Sequence, residues 1–208
     1  MPRIVVVPGL AVRRYLEPAV DRLRADGADV RLYRPPAWSG RESVEQLSRE
    51  LADDLSGAPV DLLVGLSVGT YVAAGAAAMA PANQRAVVLV SPVEANSWRA
   101  LGADWLRAAR GESPVFLLQQ AREWLATPPR RLAQTLRSTR ERDIEAGARA
   151  ARDVGVRVHV VRGERDPLSG ESLSRRLADG QRVTIPRAGH SWPYHDPGGF
   201  ARTMLGLA

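Results

Sequence analysis

Apolar residues along the chain fall into short β-branched runs separated by longer stretches with helical spacing. The runs Arg3 to Val7, Ala28 to Tyr33, Leu62 to Leu66, Ala86 to Val90 and Val156 to Val161 predict five strands, and Gln181 to Ile185 a weaker sixth. Ile4-Val5-Val6-Val7 and Val87-Val88-Leu89-Val90 are apolar without alternation, which suits strands covered on both faces. Helices are predicted over Tyr15 to Ala25, Ser43 to Leu55, Val68 to Met79 and Glu171 to Leu177. Strand and helix therefore alternate, the order of a parallel sheet built from βαβ units with helices on both faces.

One stretch breaks this alternation. From Val93 to about Asp153 helical patterns follow one another with no strand between them, so residues 93–153 read as a helical insertion, a lid, within a single domain spanning 1–208. Trp98, Leu101 and Trp105 recur at i, i+3 and i+7, while Phe116, Leu117, Gln120, Trp124 and Leu125 form a second helical face. Pro114, Pro128 and Pro129 separate the helices. Most of these aromatics suffice to pack the inserted helices, and the underside of a lid also lines a pocket.

Composition narrows the chemistry. A chain of 208 residues with no Cys has no disulfides, thiolate nucleophile or Cys-based metal site, and three His without metal-ligand spacing give no reason to expect a metal or other cofactor. The apolar start is too short for a signal peptide and no segment approaches a membrane span, so a cytoplasmic protein with no membrane partner is expected. The formal charge of +6 comes entirely from Arg, since no Lys occurs. These Arg residues are interspersed with acids, as in Arg140-Glu141-Arg142-Asp143, which argues against nucleic acid and leaves a small molecule as the expected partner.

The candidate chemistry starts at Gly65-Leu66-Ser67-Val68-Gly69, between a predicted strand and a helix of small residues. A G-x-S-x-G elbow needs that context, because the sharp turn strains the serine backbone and flanking glycines relieve the crowding. Composition alone produces about one chance match in ten such chains. A serine hydroxyl needs a base. His159 lies inside a strand, and His195 sits beside Asp196-Pro197 where a final helix starts, which leaves His190, in Ala188-Gly189-His190, as the favoured base. The acid that orients it is Asp166, in the loop Gly163-Glu164-Arg165-Asp166-Pro167, with Glu94 after the preceding strand as its rival.

The elbow, the acid loop and the histidine loop resemble those of the α/β-hydrolase superfamily, in the family's chain order of Ser, Asp and His. The likeness covers nearly the whole chain outside the inserted helices. It implies a mostly parallel six-stranded sheet without the family's usual N-terminal antiparallel strand pair. It also implies an oxyanion hole from the backbone N–H groups of Val68 and Leu10, with Ala11 an alternative, since Pro8 stands where many relatives carry His. Serine at the elbow fits acyl transfer from an ester, thioester, lactone or amide. Trp38, Trp98, Trp105 and Trp192, together with Tyr194, are candidates for the substrate rim, and Arg13 and Arg14 for a substrate carboxylate. A lyase or cyclase on the same scaffold, or a silent binding protein, are the competing readings.

Overall fold

The computed structural model describes residues 1–9, 13–33, 43–94 and 98–208. Its six strands are β1 (Arg3–Val7), β2 (Asp29–Leu32), β3 (Val60–Leu66), β4 (Gln84–Val90), β5 (Arg157–Gly163) and β6 (Arg182–Ile185). They form one sheet in the order β2-β1-β3-β4-β5-β6, and every pairing is parallel. The chain leaves β1 for one edge and returns to β3 on the other side of β1. The loops after β1 and β3 therefore diverge, and a crevice opens at their carboxyl ends.

Alternation within the strands feeds two cores. Val5, Val7, Leu63, Val87, Leu89, Val158 and Val160 face α2 (Val44–Leu55), α3 (Gly69–Met79), α7 (Ile144–Asp153) and α8 (Glu171–Leu177). Ile4, Val6, Leu62, Val64, Val88, Val90 and Val161 face α1 (Glu17–Ala25) and the C-terminal α10 (Pro197–Leu207). In α2 the buried Val44, Leu47, Leu51 and Leu55 make one stripe, and the Ser43 hydroxyl accepts the Gln46 N–H at 3.2 Å as an N-cap. Small residues in α3 allow a close approach: a Cβ on Gly75 would lie 2.5 Å from the Ser48 hydroxyl of α2.

Four helices stand between β4 and β5, and they divide into two kinds. α4 (Trp98–Arg110) and α5 (Pro114–Leu125) lie over the carboxyl ends of the strands, and α6 (Pro129–Arg140) leans on α2, its Ser138 hydroxyl accepting the Val44 N–H at 3.3 Å. Phe116 of α5 joins the α1/α10 core, and Leu101 and Trp105 of α4 pack with Val93 and Leu168. The expected insertion over 93–153 is too long at its C-terminal end. α7 buries Ile144, Ala148 and Ala151 in the core beside α3 and is the crossover helix that returns the chain to β5. Its short, Ala-rich face is hard to see in sequence because Glu145, Arg149, Arg152 and Asp153 surround it with charge.

Candidate active site

Ser67 takes a left-handed backbone conformation, φ 52°, between the last residue of β3 and the first turn of α3. Its N–H donates to Val90 O at 2.9 Å, and its carbonyl accepts from the Thr70 N–H and hydroxyl, so the strained residue is held on both sides. The elbow glycines are a steric requirement. A Cβ on Gly65 would lie 2.6 Å from Gly69 O and 2.7 Å from the Ala73 Cβ, and one on Gly69 would run into the carbonyls of Val7 and Pro8.

The acid and histidine loops are fastened to each other. Arg165 N–H donates to Ala188 O at 2.9 Å, Glu164 N–H to Ile185 O at 3.0 Å, and Arg187 N–H to the Glu164 carboxylate at 2.7 Å. The buried Arg162 guanidinium braces the acid loop from below, donating to Ser169 O at 2.8 Å and Glu164 O at 3.2 Å. A single arginine directly after the apolar pair Val160-Val161, still within the strand, is the visible sign of this brace in the sequence.

These loops bring Ser67, His190 and Asp166 into one line of hydrogen bonds. The His190 Nε2 lies 3.1 Å from the Ser67 Oγ, and its Nδ1 lies 2.9 and 3.0 Å from the two Asp166 carboxylate oxygens. Asp166 is buried and also accepts the Leu168 N–H at 2.9 Å. Burial alone would raise its pKa, but the charge and hydrogen bond of His190, with the Leu168 N–H, hold it below the usual carboxylate value. Burial likewise opposes the imidazolium of His190. The charge and hydrogen bond of Asp166, with Glu112 farther off, outweigh it and raise His190 above its ordinary value. Ser91, left-handed at φ 48°, is buried beside Asp166. Its hydroxyl makes no hydrogen bond of regular geometry, yet it stands close enough to favour the Asp166 carboxylate.

The other candidates lie elsewhere. Glu94, the rival acid, pairs at the surface with Arg176 at 2.9 Å. His195 Nε2 lies 2.6 Å from the Glu112 carboxylate, and His159 accepts the Gln181 N–H on Nδ1 at 2.8 Å within the core. Trp192, expected at the rim, is 2% exposed and packs on Phe200 at 5.5 Å between ring centroids, because α9 (Trp192–His195) turns its first residue into the α10 core. Leu10, Ala11 and Trp38 lie outside the described residues, as does the Trp98 side chain. Trp105 does stand beside the histidine, its ring centroid 6.4 Å from that of His190 and 5.2 Å from that of Trp124.

A narrow cleft opens above Ser67, walled by Gly9, Tyr15, Ser91, Trp105 and Gln120. It adjoins a larger, mainly apolar groove between α4 and α5, lined by Trp105, Leu106, Phe116, Leu117 and Trp124, with Glu112 in its wall and His190 at the shared boundary. Tyr15 and Gln120 had no motif to mark them. Tyr15 is buried edge-on against Phe116, centroids 6.0 Å apart, and burial followed by the Glu123 charge pushes its phenol pKa up, so it is a neutral hydroxyl. The carboxylate of Glu123 accepts the backbone N–H groups of Arg13 at 2.9 Å and Arg14 at 3.2 Å, tying α5 to the start of the first helical segment. Arg13 and Arg14 themselves are exposed at the protein surface. Among the described residues no group of three or more His, Cys, Asp or Glu is arranged to hold a metal ion, and no helix is long and apolar enough to cross a membrane.

Comparison with known proteins agrees with this architecture. No curated protein sequence matches the chain. Among solved structures, an enol-lactonase from Burkholderia xenovorans LB400 superposes with a TM-score of 0.78 at 20% identity, covering 99% of this chain and 90% of that one. A bromoperoxidase from Bacillus anthracis gives 0.78 at 15% identity (99% and 91% covered), and a thermophilic esterase from Thermogutta terrifontis 0.74 at 19% (99% and 89%). At these identities the likeness speaks for the fold. The sequence profile of the alpha/beta hydrolase family matches residues 4–203, nearly the whole chain, and the protein is therefore an enzyme of the alpha/beta hydrolase family.

Proposed function

We propose that the protein is a serine hydrolase that cleaves a carboxylic ester, thioester or lactone through an acyl-enzyme on Ser67. The observation that carries this reading is the unbroken contact from the Ser67 hydroxyl through His190 to Asp166, at 3.1 and 2.9 Å. His190 Nε2 takes the hydroxyl proton as Oγ attacks the substrate carbonyl, and the imidazolium so formed is stabilised by the Asp166 carboxylate. The carbonyl oxygen becomes an oxyanion, and its partners are the N–H of Val68 and the positive end of α3, which begins at Gly69 directly behind the nucleophile. Leu10 N–H is the proposed second donor. Collapse of the tetrahedral species passes the proton from His190 to the leaving oxygen or sulfur, and water repeats the sequence to release the acid.

The groove supports an acyl or alkoxy group of some length, since Trp105, Phe116 and Trp124 make its wall mainly apolar and the Glu112 carboxylate in it is paired with His195. The enol-lactonase and the esterase are enzymes of this scaffold with the same class of bond in their names, which favours ester and lactone panels as the first substrates to try. The test is a fluorophosphonate probe with mass spectrometry of the Ser67 peptide, alongside turnover of those panels. Labelling at Ser67, with labelling and turnover lost in Ser67→Ala, is the expected result. A substrate turned over equally by Ser67→Ala, with no acyl adduct, would replace hydrolysis by lyase or cyclase chemistry.

A further inference from the structure

We propose that the outer face of α5, with the adjoining end of α4, docks onto an anionic lipid surface. Eight large apolar side chains are exposed among the described residues, and five of them, Leu106, Val115, Leu117, Leu118 and Leu125, belong to these two helices. Val115, Leu118 and Leu125 stand at i, i+3 and i+10, one face of α5, and are 69%, 56% and 88% exposed. So concentrated an apolar patch on one element marks an interaction site.

The charges around the patch select its occupant. Arg122 lies on the same stripe at i+7, and Arg107, Arg110 and Arg130 are exposed on the ends of the neighbouring helices. Each acid of this region is already engaged. Asp104 pairs with Arg107 at 2.5 Å, Glu112 turns inward to His195, and Glu123 turns inward to the Arg13 and Arg14 N–H groups. Asp104 thus offsets Arg107, Glu112 and Glu123 point at the protein, and among the described residues the outward charge without a carboxylate beside it is that of Arg110, Arg122 and Arg130. An apolar stripe flanked by guanidiniums is the pattern of a helix that lies in a lipid headgroup layer, its leucines among the acyl chains and its arginines on lipid phosphates.

A second copy of the chain fits poorly. Two-fold docking of this face would bring Arg122 and its neighbours against their own equivalents and bury cations without partners. The absence of a membrane-spanning segment, which led to the expectation of no membrane partner, bears on crossing a bilayer and not on lying against one. Leu106 and Leu117 sit at the edge of the patch and also line the apolar groove, so a molecule leaving the lipid layer would meet the groove mouth first. Docking of this kind does not depend on which reaction Ser67 carries.

The test is flotation of the full chain with vesicles of phosphatidylcholine alone or mixed with phosphatidylglycerol. Binding is expected to the anionic vesicles, to fall with added salt, and to drop about tenfold or more in Leu118→Asp/Leu125→Asp, which removes apolar contact and adds repulsion. Met79→Asp/Val154→Asp, an equal change of two charges at exposed sites outside α4 and α5, should bind like the parent. Unchanged melting and unchanged phosphonate labelling of Ser67 would show that the double variant is folded. Absence of flotation with anionic vesicles would overturn the proposal, as would equal binding to both vesicle types or undiminished binding by the folded double variant. A dimer seen by light scattering and abolished by Leu118→Asp/Leu125→Asp would assign the face to a second copy and overturn it too.

Discussion

Glu123 of α5 holds the backbone N–H of Arg13 at 2.9 Å, across 110 residues of chain, and so fastens the cap to the segment that follows β1. The same carboxylate takes the Arg14 N–H at 3.2 Å, and its side chain is 17% exposed. Glu123→Ala leaves two N–H groups without an acceptor and releases α5 from the side of the cleft. We expect a loss of about 1–2 kcal/mol of stability and slower labelling of Ser67 by a phosphonate, with Glu123→Gln in between because one amide oxygen replaces two carboxylate oxygens. Melting curves and labelling rates measured together check this. A labelling rate unchanged in Glu123→Ala would disconnect the anchor from the site.

Asp166 and Glu94 both follow strands at the carboxyl edge, yet only Asp166 touches His190. Asp166→Asn should leave the fold intact and lower kcat by about three to four orders of magnitude, because the amide favours the wrong imidazole tautomer. Glu94→Gln breaks a surface pair with Arg176, an interaction worth about 0–1 kcal/mol, and should leave kcat nearly unchanged. Steady-state kinetics on a common ester decides between them, and the opposite ranking would move the acid to Glu94.

The direction of the His190 shift sets the pH profile. Burial opposes its charge, but Asp166 prevails and raises it above 6.5, and in the proposed mechanism His190 must be neutral to accept the Ser67 proton. The acid limb of kcat/KM should therefore fall above 6.5, and residual activity of Asp166→Asn should show that limb moved to lower pH, since the raising charge is gone. For stability the sign is opposite in sense. A raised histidine stabilises the fold fully below its unfolded pKa and loses that contribution as pH rises through the folded value. A limb that stays in place in Asp166→Asn would mean that a group other than His190 sets it.

The glycines of the elbow give a sharp structural test. Gly69→Ala drives a Cβ into the carbonyls of Val7 and Pro8, which cannot move without breaking the β1 end, and should cost about 3 kcal/mol or more. Gly102, in α4, has open space where its Cβ would stand, and Gly102→Ala should instead stabilise the helix by about 0.5–1 kcal/mol. Denaturant unfolding of the two variants measures both signs. A Gly69→Ala protein as stable as the parent would show that the loop after β1 is free to yield.

The strands were legible because β-branched runs such as Val87 to Val90 have few other uses, and predicted and observed boundaries differ by two residues or fewer. That Ser67, His190 and Asp166 meet was legible for a related reason: each follows a strand, and parallel strands put their following loops on one edge. Contacts made by helices across long sequence separations left no such trace. Nothing near Glu123 in sequence announces Arg13, and nothing in Ser191-Trp192-Pro193 tells whether the indole turns to the cleft or to Phe200. α7 reads in sequence as part of the insertion because Ala148 and Ala151 bury little area each, so its core face lacks the large side chains that make periodicity visible.

Trp105 stands where the cleft over Ser67 meets the apolar groove, and it is the residue whose removal should separate substrate choice from chemistry. Its ring lies 6.4 Å from His190 and 5.2 Å from Trp124 without hydrogen bonding to Ser67, His190 or Asp166. Trp105→Ala should thus leave hydrolysis of an acetyl ester close to the parent rate. An octanoyl ester draws on the groove wall, and forfeiting the burial of two methylenes costs about 1.6 kcal/mol, enough for a factor of about ten in kcat/KM. The loss should appear mainly in KM if the chain is held equally in the bound substrate and the transition state, and in kcat if the wall also aligns the carbonyl over the Ser67 Oγ. Measuring both esters with both proteins gives the ratio directly. Equal losses for acetyl and octanoyl esters would make Trp105 a general prop for His190, and the groove between α4 and α5 would then have no part in choosing the substrate.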